Sequence, residues 1–343
     1  MISVLFIDND PSTLNAIDRN FKSGSFNYNL ITLDDPAYGF QKILENDVKV
    51  VISEISFEGF LCKTFYEELK AIYPQIIRIS ITTDQSLMES FNDDGQTHIT
   101  FGKPINTSHF LNWLEKLLFY RESASEELII NFFTNVKLKS YPENIIKIVQ
   151  MLNDKDFQMY ELAKTITLDT NLKIKLLKFV NSASFGFTKP ISDIKAAVEY
   201  LGVSNINSVV KYLNVFSIFE KNDVKNEELE IIDYLFENRF VDRSSLLDIK
   251  FAFNIKSFIY AKNIGFDETA LDSTVAHIMH IMMVDDSICD AIYFSKHPKS
   301  CSGRNALLDI TCLTNYINGD DSVEDFVFSR FGKEKVLSLK EGF

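Results

Sequence analysis

The sequence predicts an α/β doubly wound domain followed by an all-α domain. Three observations carry this. Short apolar runs without polar alternation recur between residues 2 and 101, each followed by a helix-periodic stretch, as strands buried on both faces of a parallel sheet require. From Leu128 onward the apolar spacing is that of helices almost throughout. A polar run without Pro or Gly, RESASEE at 121–127, separates the two patterns. The expected division is therefore 1–122 and 123–343, in a chain whose 343 residues suit two domains.

In the first domain, residues 2–7 form an apolar run that ends in Asp8-Asn9-Asp10-Pro11. A helix from Ser12 places Leu14, Ile17 and Phe21 inward. Residues 29–33 read as a second strand and 36–45 as a second helix; 48–52 is again a bare apolar run, ending in Ser53-Glu54. Residues 65–72 form a helix closed by Pro74, and 76–81 a fourth strand ending in Thr82. A fifth strand, 98–101, runs into Gly102-Lys103-Pro104, and 109–120 is a last amphipathic helix carrying Trp113. Functional groups of such sheets gather at the carboxyl ends of the strands. Asp8, Glu54, Thr82 and Lys103 all fall there. The run 121–127 can continue the last helix directly into the second domain.

The second domain opens with a helix over 128–136. Pro142 suits a helix N1 position, with Ile145, Ile148, Val149 and Leu152 inward, and 160–167 is a short helix. Asp169 or Thr170 then caps a helix whose stripe is Leu172, Leu176, Leu177 and Val180. Asn181-Ser182-Ala183-Ser184 ends it, and Phe185-Gly186-Phe187 forms a tight turn that two aromatics pin to the core. Ser192 is placed to cap a helix bearing Ile194, Ala197, Val198 and Leu201, which Gly202 terminates. Another helix follows over 204–219, and 228–315 stays helical in period. The acidic segment 319–326 can begin a final short helix ahead of a polar tail with Phe328, Phe331 and Phe343.

A hydrophobic content of 46% supplies two cores. The formal net charge of −13 disfavours sequence-independent binding to phosphate backbones or anionic bilayers, which need clustered Lys and Arg. No apolar run approaches the ~20 residues that span a bilayer. The N-terminus, MISVLFIDND, lacks the basic region of a leader. Cys62, Cys289, Cys301 and Cys312 have no C-x-x-C spacing, so neither a disulfide framework nor a zinc knuckle is expected. These features read as a reduced, cytoplasmic protein.

The strand-end set Asp8, Asn9, Asp10, Glu54, Thr82 and Lys103-Pro104 resembles the receiver domain of two-component response regulators, a flavodoxin-like α/β doubly wound fold. The resemblance implies that acids after strand 1 and an Asp after strand 3 hold Mg²⁺, and that the strand-3 Asp accepts a phosphoryl group from a histidine kinase. It implies too that a Thr after strand 4 and a Lys before a Pro read the phosphoryl oxygens, and that this Lys-Pro bond is cis. The chemistry fits: a hard cation needs carboxylate oxygens, and a transferring phosphoryl needs neutralising charge. This sequence departs at two places. Glu54 stands at the acceptor position, and Asn9 is the second acid's replacement, with Asp10 one residue further on. The loop 55–59 is also short. One methylene longer than Asp, Glu54 occupies the space of metal or phosphate and can reach Lys103. The expectation is a degenerate pocket, without metal, that accepts no phosphate.

The run NSASFGF at 181–187, with YPENIIKIVQMLND and ELAKTITLDTNLKIKLLKFV before it and KPISDIKAAVEYLGVSNINSVV after it, resembles the HDOD family of bacterial signalling proteins. Pro142, then Asn181, Ser182, Ala183, Phe185 and Gly186, then Pro190, Ser192, Leu201 and Gly202 carry the match over roughly 128–215. These HD-like domains are relatives of metal-dependent phosphohydrolases, in which His and Asp ligands hold metals that activate water. In TVAHIMHIMM, His277 matches the His of a His-Asp dyad, but Ile278 stands where the Asp would be. In AIYFSKHP, Ser295 and Lys296 replace paired histidines. His277 and His280, three apart, read as histidines of a partly buried helix.

The resemblances imply a non-enzymatic bacterial signal-transduction protein, without cofactor, in a two-component phosphorelay or cyclic-dinucleotide network. Its HDOD motif (Asn181, Ser182, Phe185, Gly186) and receiver surfaces would bind a kinase, a cyclase or another regulator. A homodimer is left open, and nucleic acid and membrane are not expected partners. The alternative is an HD-type phosphohydrolase acting on nucleotides or cyclic dinucleotides; a third reading is a competent phospho-switch.

Overall fold

Five short apolar segments build one parallel sheet: β1 (Ser3–Ile7), β2 (Asn29–Leu33), β3 (Val48–Glu54), β4 (Ile77–Thr82) and β5 (Ile99–Gly102). β1 and β4 are buried at every residue and β3 at all but Lys49, the reason their sequences show no polar alternation. β2 lies at an edge and is partly exposed. The order is β2-β1-β3-β4-β5 with all neighbours parallel, the flavodoxin-like order, whose switch point lies between β1 and β3. The computed structural model describes residues 2–57, 60–83, 95–135, 148, 151–152, 158–168, 172–173, 176–177, 180, 191–202, 206, 210, 227–262, 268–282, 284 and 286–343.

The pleat sorts the strand residues onto two layers. Val4, Phe6, Val50, Ile52, Ile79 and Ile81 share one core cluster with Ile17, Phe110 and Leu114. Leu5, Ile7 and Val51 share the other with Ile43, Phe65, Tyr66 and Leu69. The flanking helices are α1 (Pro11–Ser23), α2 (Gly39–Glu45), α3 (Lys63–Ile72) and α4 (Thr107–Ser123). A 3-10 turn, Pro36–Tyr38, opens the expected second helix, because Asp35 caps it and Pro36 starts it. After β3 comes a hairpin, Ser56–Phe57 against Phe60–Leu61.

The last helix does not run on into the next. α4 ends at Ser123, Ala124 is extended at φ −79° and ψ 144°, and α5 (Glu126–Asn135) begins two residues later. Ser125 causes the break. Its Oγ accepts the Leu128 amide at 3.4 Å, as a helix cap does, and its own amide donates to Thr274 Oγ1 at 2.9 Å.

Contacts divide the chain into a first unit, Met1–Ser140 with Asn263–Met283, and a second, Tyr141–Lys262 with Val284–Phe343. This division differs from the expected boundary at 122/123: the helix α9 (Glu268–Ile281), from the helical half of the sequence, groups with the sheet. α9 packs on α4 and α5, and Ile281 joins the core of the sheet unit.

Among its described residues the second unit's regular elements are all helices. α6 (Met159–Leu168) contributes Leu162, Ala163 and Ile166 to a core shared with Ile148, Leu172, Leu176, Val180, Ile194, Ala197, Val198, Leu201, Ile206 and Val210. Of the expected inward stripes, Ile148, Leu172, Leu176 and Val180 are buried, and Leu152 and Leu177 are partly buried against this core. The helix over 194–202 is capped by Asp193, whose Oδ2 accepts the Ala196 amide at 3.0 Å, one residue after the expected Ser192. Gly202 ends it at φ +71°, a conformation that costs a side chain. Then follow α7 (Glu227–Glu237), α8 (Arg243–Lys262), α10 (Asp286–Tyr293), α11 (Ala306–Ile317), α12 (Glu324–Phe331) and α13 (Lys333–Gly342). The tail therefore holds two helices instead of one short one, separated by Gly332 at φ +86°.

The four cysteines are free. Burial pushes the Cys62 thiol up to about 11 and the Cys312 thiol up to about 12, so both stay protonated at neutral pH.

Candidate functional site

Strand register brings the strand ends together. Ile7 pairs with both Leu33 and Ser53, Glu54 with Ile81, and Thr82 with Gly102. Asp8, just past β1, is fully buried. Lys103 leaves β5 with its amide donating to Thr82 O at 2.8 Å, and the Lys103-Pro104 peptide bond is cis. Its Nζ then lies 2.7 Å from Asp8 Oδ2 and 2.6 Å from Glu54 Oε2. Desolvation works against the ammonium, but the bonds to Asp8 and Glu54 outweigh it and hold the Lys103 pKa above its ordinary value.

Glu54 is engaged at both ends of its carboxylate. Oε2 meets Lys103, and Oε1 accepts the Ile55 amide at 2.9 Å and the Ser56 amide at 3.4 Å. The hairpin that follows is tied back by the Cys62 amide on Ile55 O at 2.7 Å. Thr82 is buried at the end of β4. The six expected pocket residues therefore divide: Asp8, Glu54 and Lys103 are in direct contact, and Thr82 adjoins through the Lys103 backbone.

Neither the Asn9 nor the Asp10 side chain joins that contact set, although the Asp10 amide donates to Asp8 Oδ1 at 2.9 Å. Asn9 is exposed. Asp10 caps α1, its carboxylate accepting the Ser12 amide at 2.9 Å, the Thr13 amide at 3.2 Å and the Thr13 hydroxyl at 2.8 Å. The Thr13 hydroxyl first, then the Ser12 amide, hold its pKa below the ordinary carboxylate value. Asp10, one residue past the missing second acid, is thus put to a competing use: both its oxygens are occupied by the helix start. Sequence reading also missed Tyr66, hidden within an apolar stripe. It is fully buried, and its hydroxyl faces Ser53 O at 3.2 Å and Ile79 O at 2.7 Å, beneath the pocket.

The HDOD motif residues Asn181, Ser182, Phe185 and Gly186 lie outside the described residues. Residues 138–233 match the family model of the HDOD domain. The chain carries an HDOD domain. Over 88 residues it is 27% identical to an uncharacterized protein of Treponema pallidum (strain Nichols), a match covering 26% of this chain and 17% of that relative's length. Among solved structures, the signal receiver domain of an HD domain-containing protein from Pseudomonas fluorescens Pf-5 is 21% identical, with 35% of this chain and 89% of that one covered at a TM-score of 0.32. An HDOD domain protein of unknown function from Geobacter sulfurreducens is 17% identical, with 59% and 76% covered at a TM-score of 0.40.

A flavodoxin-like receiver fold ahead of an HDOD domain is the make-up of a signalling protein. The two segments weighed against the phosphohydrolases fall in different units, His277 in the receiver unit and Ser295 and Lys296 in the HDOD unit. His277 Nδ1 donates to Leu117 O at 3.1 Å and His280 Nε2 to Trp113 O at 2.9 Å. Lys296 pairs with Asp320 at 2.7 Å. No helix among the described residues is long and apolar enough to cross a membrane.

Proposed function

We propose that the chain is a non-enzymatic signal-transduction protein: a receiver that accepts no phosphate, joined to an HDOD domain that binds protein partners such as a kinase, a cyclase or another regulator. One observation carries the first half. The ammonium that would read a phosphoryl group is already shared by two carboxylates, at 2.7 and 2.6 Å. The second of these is Glu54, standing where an acceptor Asp would stand. A carboxylate anchored by Lys103 and by the Ile55 amide is a poor nucleophile, because its lone pairs are committed. Diversion of Asp10 into a helix cap leaves Asp8 and Glu54, both already paired with Lys103, too few free hard oxygens for a tight Mg²⁺ site. The pocket then rests in one state, with the internal ion pairs in place of a switch.

Incubating the full chain with a small-molecule phosphodonor and Mg²⁺, followed by intact-mass measurement, tests this. Unchanged mass is expected, and a stoichiometric adduct of one phosphoryl group on the receiver unit overturns it. The non-enzymatic half draws support from the HD-like segment, where Ile278 replaces the dyad Asp and the rings of His277 and His280 bond backbone carbonyls. Metal analysis of protein purified without added metal tests that half; near-stoichiometric transition metal would favour a phosphohydrolase.

A further inference from the structure

α9 reaches the receiver unit through a row of polar side chains spaced three apart. Thr274 accepts the Ser125 amide at 2.9 Å, His277 donates to Leu117 O, and His280 donates to Trp113 O while its ring stacks on the Trp113 indole at a centroid distance of 5.3 Å. Two of the three partners are carbonyls inside α4. Those carbonyls already accept the amides four residues on, as α-helical carbonyls do. The imidazole bonds are second bonds, so α4 keeps its own backbone bonding whether α9 is there or not.

His277 is the sensitive member of the row. It is fully buried, and among the described residues no hydrogen-bond partner faces its Nε2. A second proton on this ring would place an uncompensated positive charge in the interior, which costs far more than the hydrogen bond to Leu117 returns. The surroundings sharpen this. Arg121 on α4, His280 on α9 and His98 just before β5 act on its charge; Lys116 and Glu126 lie on the helices α4 and α5 that pack on α9, and Asp272 is on α9 itself. Of these, Glu126 is already held by Arg121 at 3.0 Å and by Lys49 at 2.9 Å. We propose that His277 makes α9 an acid-releasable clamp on α4. This is independent of the pocket reading above.

The direction follows from linkage. Burial first, then the charge of Arg121, hold His277 well below the ordinary histidine pKa, so the docked state binds fewer protons than the released one. Docking is then at full strength above about pH 6.5 and weakens below it, roughly tenfold per pH unit for the one proton taken up.

Amide hydrogen exchange of the full chain, read by peptide mass from about pH 7.5 to about 5 and corrected for intrinsic rates, tests the proposal. Segment 268–281 should lose protection roughly tenfold per pH unit below about 6.5, while 107–123, β1 and β3 stay protected. His277→Gln, which keeps a donor but does not titrate, should remove the pH dependence, and His280→Gln should leave it in place. Should His277→Gln not fold, exchange of the imidazole C2 hydrogen in the unaltered chain reports the His277 titration directly, and it should track the amide opening. Retained pH dependence in folded His277→Gln, loss of it in His280→Gln alone, loss of protection across the whole sheet at once, or an imidazole titration that does not track the opening would each overturn the clamp.

Discussion

Lys103 is held by two carboxylates of unequal history. Asp8 is the acid a receiver pocket is expected to keep; Glu54 is the one that has grown by a methylene. Removing the cation by Lys103→Met leaves the two acids facing each other in a largely buried site, and should cost about 3–5 kcal/mol. Glu54→Gln keeps the Asp8 pair and should cost less, about 1–2 kcal/mol. Urea denaturation at neutral pH compares them, and equal costs would mean the three groups do not act as a set. The pH dependence has a definite sign. Because the folded-state Lys103 pKa is raised, its contribution is complete below the ordinary 10.5 and is lost as pH rises through the folded value. The stability gap between the native chain and Lys103→Met should therefore be constant between about pH 6 and 10 and shrink above it. The Glu54–Lys103 contact was legible beforehand, since the longer acid was long enough to reach the Lys at the next strand end but one. Asp10 was half legible: Pro11 after it is a helix-start signal that competed with its reading as a metal ligand. Tyr66 was not, because an apolar stripe does not say what one hydroxyl in it will meet.

At the level of elements, the strands could be read because burial on both faces leaves a bare apolar run, and their alternation with helices pointed to a doubly wound parallel sheet. Helix starts were readable to within two residues, 65 against Lys63 and 109 against Thr107, and Asp193 caps in place of Ser192 because both side chains cap equally well in the abstract. The interruption at Ala124 and Ser125 was not readable. Each residue there is acceptable within a helix, and the group that completes the break, Thr274, is remote in sequence. Caps also give this scale its test. Asn305 accepts the amides of Leu307 and Leu308 at 3.0 and 3.2 Å and starts α11, a helix buried at every residue after Ala306. Asn305→Ala should lower stability by about 1 kcal/mol, seen as a lower thermal midpoint of the full chain. No loss would mean that packing alone sets where α11 begins.

For the molecule as a whole, the period of a helix reveals that it is helical, not which neighbour it chooses. Residues from Leu271 to Met282 are buried on every face of α9, so amphipathicity offered no pointer to α4. That is why a boundary at 122 looked natural and why the contacts draw a different line. The difference is measurable. A fragment of residues 1–140 lacks α9 and leaves Leu117, Trp113 and Arg121 without their cover. It should melt at lower temperature than the receiver unit does within the full chain, or self-associate. A peptide of residues 263–283 added in trans should raise its midpoint. Identical melting with and without the peptide would show that α9 is a passenger.

Because α9 lies between α8 and α10 in the chain, the receiver unit is finished late in synthesis. At about 5–20 residues per second, roughly 10–30 s pass between the emergence of α4 and that of its covering helix. Throughout that interval the ribosome carries a sheet with one bare flank. The nascent chain must then be shielded by a chaperone or wait, and a stall anywhere within the HDOD segment would leave the N-terminal half sticky although every one of its own residues had been made.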